Sequence, residues 1–132
     1  MRRVSNTPLA KLKRQLWDLC KQITRHVHGN TCYSCGAQGL ASSNWHTGHF
    51  ISKSICSTEL AYDLKNLRPQ CGNCNIWKSG NWVGFEKHLS KDHGEEYIVE
   101  LKKRNEKTKG LKYDILWYQK KIEEYQQIYE QL

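Results

Sequence analysis

Nowhere does this 132-residue chain gather the ~20 consecutive apolar residues that a bilayer-spanning helix requires, so a membrane-spanning role is not expected. The opening residues, Met1-Arg2-Arg3-Val4-Ser5-Asn6, lack the apolar core of a secretory signal. A cytosolic protein is therefore expected, in a compartment where disulfides seldom persist. Acidic residues are short as well: 13 Asp and Glu stand against 21 Lys and Arg, a formal charge of +8. Such an excess of cations points to a polyanion, nucleic acid before anionic membrane, with a merely soluble basic surface as the plainer alternative. Internal repeats and low-complexity segments are lacking too. What the chain does have is six cysteines, and in a reducing compartment these suggest metal ligands before crosslinks.

Three stretches differ in texture: residues 1–30, an N-terminal helix; 31–81, a compact middle; and 82–132, a helical tail. Thr7 before Pro8 reads as a helix cap followed by proline in the first turn. Leu9, Leu12, Leu16, Leu19, Ile23 and Val27 then recur at gaps of three and four, one helical face, and Gly29-Asn30 stops the helix. Cys20 falls on that apolar side and reads as packing. The middle reads as knuckle, β-hairpin, loop, second knuckle and the start of a short helix. In the tail, Trp82, Phe85 and Leu89 form one apolar stripe, and Tyr97, Ile98 and Leu101 another after a break at Gly94. Lys102 to Gly110, basic and turn-prone, reads as a linker. Leu111, Ile115, Tyr118, Ile122, Tyr125, Tyr129 and Leu132 follow at alternating gaps of four and three, a heptad seam facing a partner helix. That partner is either the N-terminal helix or the same helix of a second chain.

Cys32-Tyr33-Ser34-Cys35 and Cys71-Gly72-Asn73-Cys74 are two Cys-x-x-Cys knuckles. Four thiolates suit tetrahedral zinc, and a closed sulfur shell leaves no position for water, so the expected zinc is structural. The knuckles lie farther apart than the ~15–20 residues of simple zinc ribbons, which makes the intervening segment an insertion clamped at its base. Paired redox motifs are the competing reading, but no βαβ context surrounds them. Cys56 stands alone and reads as a small, partly buried residue.

Within the clamped insertion lie Trp45-His46-Thr47-Gly48-His49-Phe50 and Asp63-Leu64-Lys65-Asn66-Leu67, and the second knuckle runs into Asn75-Ile76-Trp77-Lys78-Ser79-Gly80-Asn81. His49, Asn66 and Asn75 thus follow the order of an HNH motif, with Asn in place of the last His. Phosphodiester cleavage needs a base to activate water, and neutral imidazole serves near physiological pH. It also needs a divalent cation on the scissile phosphate. His49 reads as the general base. Asn66 would orient it, by a side-chain hydrogen bond or by bracing the loop. Asn75 would offer its amide oxygen to a Mg or Mn ion, with His46 or Asp63 as second ligand. Lys53, Arg68, Lys78 and Ser79 are candidates for holding the DNA backbone.

The motifs Cys32-x-x-Cys35, Gly48-His49-Phe50, Asn66-Leu67, Cys71-x-x-Cys74-Asn75 and Lys78-Ser79-Gly80-Asn81 together resemble the phage NinG/Rap family of recombination nucleases. Asp92-His93-Gly94-Glu95-Glu96-Tyr97 extends the likeness into the tail. The resemblance implies a small α+β fold with a ββα-metal (HNH) core and a four-cysteine zinc knuckle, flanked by N-terminal and C-terminal helices. It also implies a structure-selective endonuclease acting on branched DNA, such as Holliday junctions and D-loops, in the cytoplasm of the phage's host. His46 stands where family members often carry Asp, a change that favours manganese or later metals over magnesium. Independently of the resemblance, the heptad suggests a homodimer, whose twofold axis would supply two sites to a four-way junction. Two rivals remain: a zinc-knuckle module that binds DNA or RNA without cutting, and an adaptor acting through the heptad tail.

Overall fold

The computed structural model describes residues 6–132, so the reading of the opening residues as free of a signal peptide falls largely outside it. Helix α1 spans Pro8–His28. The Thr7 side chain accepts a hydrogen bond from the Ala10 amide at 3.2 Å, and Pro8 loses nothing in a turn whose N–H groups have no helical partner. Gly29, at φ 76°, ends the helix. Strands β1 (His46–His49) and β2 (Leu67–Gln70) pair antiparallel, with His46 opposite Gln70 and His49 opposite Leu67. Their connection carries the short helix α2, Thr58–Ala61. One π-helical turn, Asn73–Trp77, follows β2. Helices α3 (Trp82–His93), α4 (Glu95–Thr108) and α5 (Ile115–Glu130) complete a small, mostly helical α+β protein. No helix among the described residues is long and apolar enough to cross a membrane.

Three cores hold these elements. Leu16, Leu19, Cys20 and Ile23 of α1 pack with Tyr118, Ile122 and Tyr125 of α5 and with Leu67 of β2. Phe50 and Leu60 of the insertion pack with Phe85, Leu89, Ile98 and Leu101 of α3 and α4. The third core is Leu40 with three of the knuckle cysteines, Cys32, Cys71 and Cys74. Burying one such large side chain stabilises by about 1.5–3 kcal/mol, so the first two clusters fasten both ends of the chain to the middle.

One expectation changes here, and the seam takes one of its two expected partners. Residues 102–108 are no linker but the second half of α4. Leu101 is buried, the Asn105 side chain accepts the Ser57 amide at 2.7 Å, and Thr108 donates to the Ser57 hydroxyl at 2.7 Å. Turn-prone composition yields to these tertiary contacts. The heptad seam finds its partner in α1 of the same chain, through Tyr118, Ile122 and Tyr125. Leu111, Ile115, Tyr129 and Leu132, at the seam's ends, stay exposed.

Candidate functional site: a cysteine cluster and a histidine-lined cavity

The Sγ atoms of Cys32, Cys35, Cys71 and Cys74 all lie within 4.8 Å of one another. Tetrahedral zinc with ~2.3 Å bonds to sulfur places its ligands roughly 3.8 Å apart, and Cys35 and Cys71 stand at 3.8 Å. The cluster can hold a structural metal ion such as zinc. The Cys74 amide donates to Cys71 Sγ at 3.4 Å and the Asn81 side chain to Cys74 Sγ at 3.3 Å, contacts that favour charged sulfur. Burial opposes the Cys32 thiolate, yet surrounding backbone N–H groups outweigh it and bring the thiol down to about 7. Burial pushes Cys74 up to about 12. Metal binding must therefore displace protons, and its affinity falls as pH falls. Cys20 takes no part: it is enclosed in the first core, its thiol 3.6 Å from the Tyr62 carbonyl.

Beside the cluster opens a cavity of about 830 Å³, lined by Thr47 and His49 of β1, Lys53, Asn75, Ser79 and Trp82, with Trp17 of α1. Alternation along a strand sends Thr47 and His49 to one face and His46 and Gly48 to the other. His49 Nε2 donates to the Ala61 carbonyl at 2.9 Å, which leaves Nδ1 as the lone-pair nitrogen. Burial, and to a lesser degree Lys53, hold its pKa below the ordinary histidine value, although the Ala61 bond works the other way. The ring is thus neutral at physiological pH. Thr47 Oγ1 is buried with no hydrogen-bond partner among the described residues.

Asn66 is fully buried. Its amide accepts the Ile51 N–H at 2.8 Å and donates to the Ile51 carbonyl at 3.2 Å and the Leu60 carbonyl at 3.1 Å. It braces the loop instead of touching the imidazole, fixing Leu60 and hence the neighbouring Ala61 carbonyl that holds His49. Asn75 sits inside the π turn, a rare backbone form that recurs at functional sites. Its Nδ2 lies 2.9 Å from His46 Nδ1, while His46 Nε2 donates to the Ser43 carbonyl at 2.8 Å. Asn75 therefore joins the two faces of β1: it lines the cavity and touches His46. Asp63 is engaged elsewhere. Its carboxylate pairs with Arg104 and accepts the Lys65 amide at 2.9 Å, and it does not line the cavity.

Among the candidate cations, Lys53 borders the cavity and lies 5.9 Å from the Trp17 ring centroid. Lys78 is exposed at the end of the π turn, outside the cavity lining, whereas Ser79 is within it. Arg68 is a correction: it is 3% exposed and serves the interior. Its guanidinium donates to the Leu67 carbonyl at 2.7 Å and to Tyr97 Oη at 3.1 Å, meets His93 Nε2 at 3.1 Å, and stacks 5.3 Å from the Tyr33 ring centroid. A cation in a strand that packs on both faces is not available to phosphate.

Sequence reasoning missed Trp17 and Gln70. Trp17 flanks the apolar series of α1 and nothing in the spacing names His49 as its partner. Gln70 is fully buried and its amide donates to Ser34 Oγ at 2.7 Å and the Gly80 carbonyl at 2.6 Å. A Cβ placed on Gly48 would collide with Gln70 Oε1, so glycine beside the motif histidine is what admits this glutamine.

Fold and site define a small α+β protein whose middle is gathered by a four-cysteine cluster able to hold a metal ion, next to a histidine-lined cavity. The family description "Bacteriophage Lambda NinG protein" matches residues 2–132, and the chain belongs to the NinG family. It is similar to protein ninG of Escherichia phage lambda, 30% identical over 100 residues, which cover 70% of this chain and 46% of the relative. Protein ninG of Salmonella phage P22 is 32% identical over the same extent. That of Escherichia phage 933W is 36% identical over 70 residues, 53% of this chain and 33% of the relative. The chain thus spans less than half the length of these relatives. No solved structure matches it.

Proposed function

We propose that the cavity is the site of a metal-dependent DNA endonuclease of the HNH kind, acting on branched DNA during phage recombination. The observation that carries this reading is the His49 side chain. It is held by the Ala61 carbonyl through Nε2 and kept neutral by burial, so Nδ1 is free to take a proton from water. A general base with a pKa at or below the working pH has the correct form ready. Asn66 is a positioning residue, acting on His49 through the loop it braces.

A divalent cation at the cavity would take the Asn75 amide oxygen, and His46 Nδ1, on the other face of β1, could join it only by giving up its contact with Asn75 Nδ2. When bound it would offset charge on the scissile phosphate and stabilise the leaving oxygen. The set is uncharged, and imidazole with amide favours manganese or later metals over magnesium. Lys53 and Ser79 would hold the phosphate backbone, with Lys78 beside them. Two sites on one four-way junction would need a second chain, docked by a surface other than the seam that α1 covers.

The deciding experiment is cleavage of a synthetic four-way junction and of linear duplex with manganese, by the wild type and by His49→Ala. The variant should bind the junction, keep its zinc and cut about 10²–10⁴-fold more slowly. Cutting by neither protein favours a zinc-knuckle module that binds without cutting, and equal cutting by both removes His49 as the base and overturns this reading of the cavity.

A further inference from the structure

We infer that Trp82, in the lining of the His49 cavity, and Trp77, at the other end of the turn that leads to it, form a stacking platform for unpaired nucleobases, an inference that rests on the reading that this cavity takes DNA. Trp77 is 82% exposed and Trp82 59%, and Ile76 and Val83 beside them are exposed as well. Tryptophan ordinarily buries its large ring, and clustered apolar exposure of this kind marks interaction sites.

The backbone beneath the two rings is fastened. Ser79, Gly80 and Asn81 take successive positive φ values of 50°, 89° and 40°, so the chain between the tryptophans turns back sharply. The Gly80 amide donates to the Cys74 carbonyl at 2.8 Å, the Gln70 side chain to the Gly80 carbonyl at 2.6 Å and the Asn81 side chain to Cys74 Sγ at 3.3 Å. The cysteine cluster thus anchors the turn. Rings shown on a fixed mount lose little freedom when a ligand covers them.

Charge and position select the ligand. Trp82 lines the same cavity as His49 and Asn75, Lys78 stands in the chain between the two tryptophans, and the whole chain carries +8. Glu86 and Glu106 also line the cavity, with Lys102 paired to Glu86 at 3.4 Å. Those carboxylates turn phosphate away from their wall and leave it to an uncharged base, while Lys53 and Lys78 attract the backbone. Every base has a π face, so stacking needs no particular sequence. Bases inside a duplex already stack on one another; only those at a gap, an end or a branch point are open to a tryptophan. The platform would therefore select for unpaired DNA next to the cutting site.

The test titrates full-length Trp77→Ala, Trp82→Ala and the double variant with a short oligothymidylate and with blunt duplex, at several salt concentrations. Zinc content and thermal midpoint serve as controls for folding. Each ring lost should weaken oligothymidylate binding by about 5- to 150-fold, with duplex affinity and the salt slope unchanged, and Trp→Phe should restore most of the loss. Unchanged oligothymidylate binding, or an equal loss for duplex, overturns the platform. So does sedimentation in which the wild type self-associates and the double variant does not, since the rings then meet a second copy. Failure of the endonuclease reading shows separately: His49→Ala cuts as the wild type does, while ring-dependent preference for oligothymidylate persists.

Discussion

Trp17 of α1 lies flat on His49 of β1, with ring centroids 5.2 Å apart and planes 8° apart. The indole shields one face of the imidazole from water while the Ala61 carbonyl holds its edge. Removing the indole by Trp17→Ala should hydrate His49 and let its pKa rise toward the ordinary value. If His49 is the general base proposed above, cutting requires the neutral ring and is lost as pH falls through that pKa. The acid limb of the pH–rate profile should therefore move to higher pH, and the looser ring should lower the plateau rate by up to about 100-fold. Trp17→Phe should restore the plateau. An unmoved acid limb in Trp17→Ala would show that the stack does not set the His49 environment.

Arg68→Ala should cost stability and leave the proposed DNA binding unchanged. Its guanidinium is buried among carbonyls and rings, and breaking such a network costs on the order of 2–4 kcal/mol. Thermal unfolding should show the loss, while the salt dependence of DNA binding keeps its slope. Lys78→Ala should do the reverse: similar stability and a slope smaller by about one contact.

Gly48→Ala should destabilise by about 1–3 kcal/mol through overpacking against Gln70. Shortening the glutamine removes the obstruction, so Gly48→Ala with Gln70→Ala should be more stable than the sum of the two single losses. Denaturant midpoints of all four proteins measure the coupling, and simple additivity would contradict the contact.

Cys71→Ser should lose zinc and folded structure together. Its sulfur is a cluster member and also accepts the Cys74 amide. Chelation of the wild type should act alike, and more readily at lower pH, where protons compete for the thiols. Metal content and near-ultraviolet dichroism follow both. A variant that stays folded without metal would assign the clamp to the apolar cores alone.

Much of this was legible in the residues, and the limits have physical causes. The Thr7–Pro8 cap, the α1 face and the break at Gly94 are local signals, set by hydrogen bonding within one turn and by helical period. The cysteine cluster was legible because ligand spacing is chemistry that survives any fold. The order His49, Asn66, Asn75 pointed to one neighbourhood, and the structure brings His49 and Asn75 to one cavity, with Asn66 behind the loop. Residues 102–108 escaped because Asn105 and Thr108 have their partner in Ser57, far back in the chain. Arg68 escaped because charge predicts exposure only until carbonyls and aromatic rings offer a better shell. Trp17 and Gln70 act through contacts between elements that no periodicity records.

The pairing of α1 with α5 also sets a schedule. Helix α1 leaves the ribosome with Leu16, Leu19 and Ile23 uncovered, and its cover, α5, is made only after the whole middle of the chain. At a synthesis rate of about 5–20 residues per second the knuckles and the α3–α4 core have time to assemble first, so the middle is a folding unit waiting for α1 and α5 to meet. Proteolysis of chains stalled before and after α5 would reveal the order, with cuts in α1 disappearing only in the longer chain. A newly made molecule is therefore most vulnerable to aggregation before α5 is made, when the cysteines have already come together and the helix that holds Trp17 against His49 has still to be locked down.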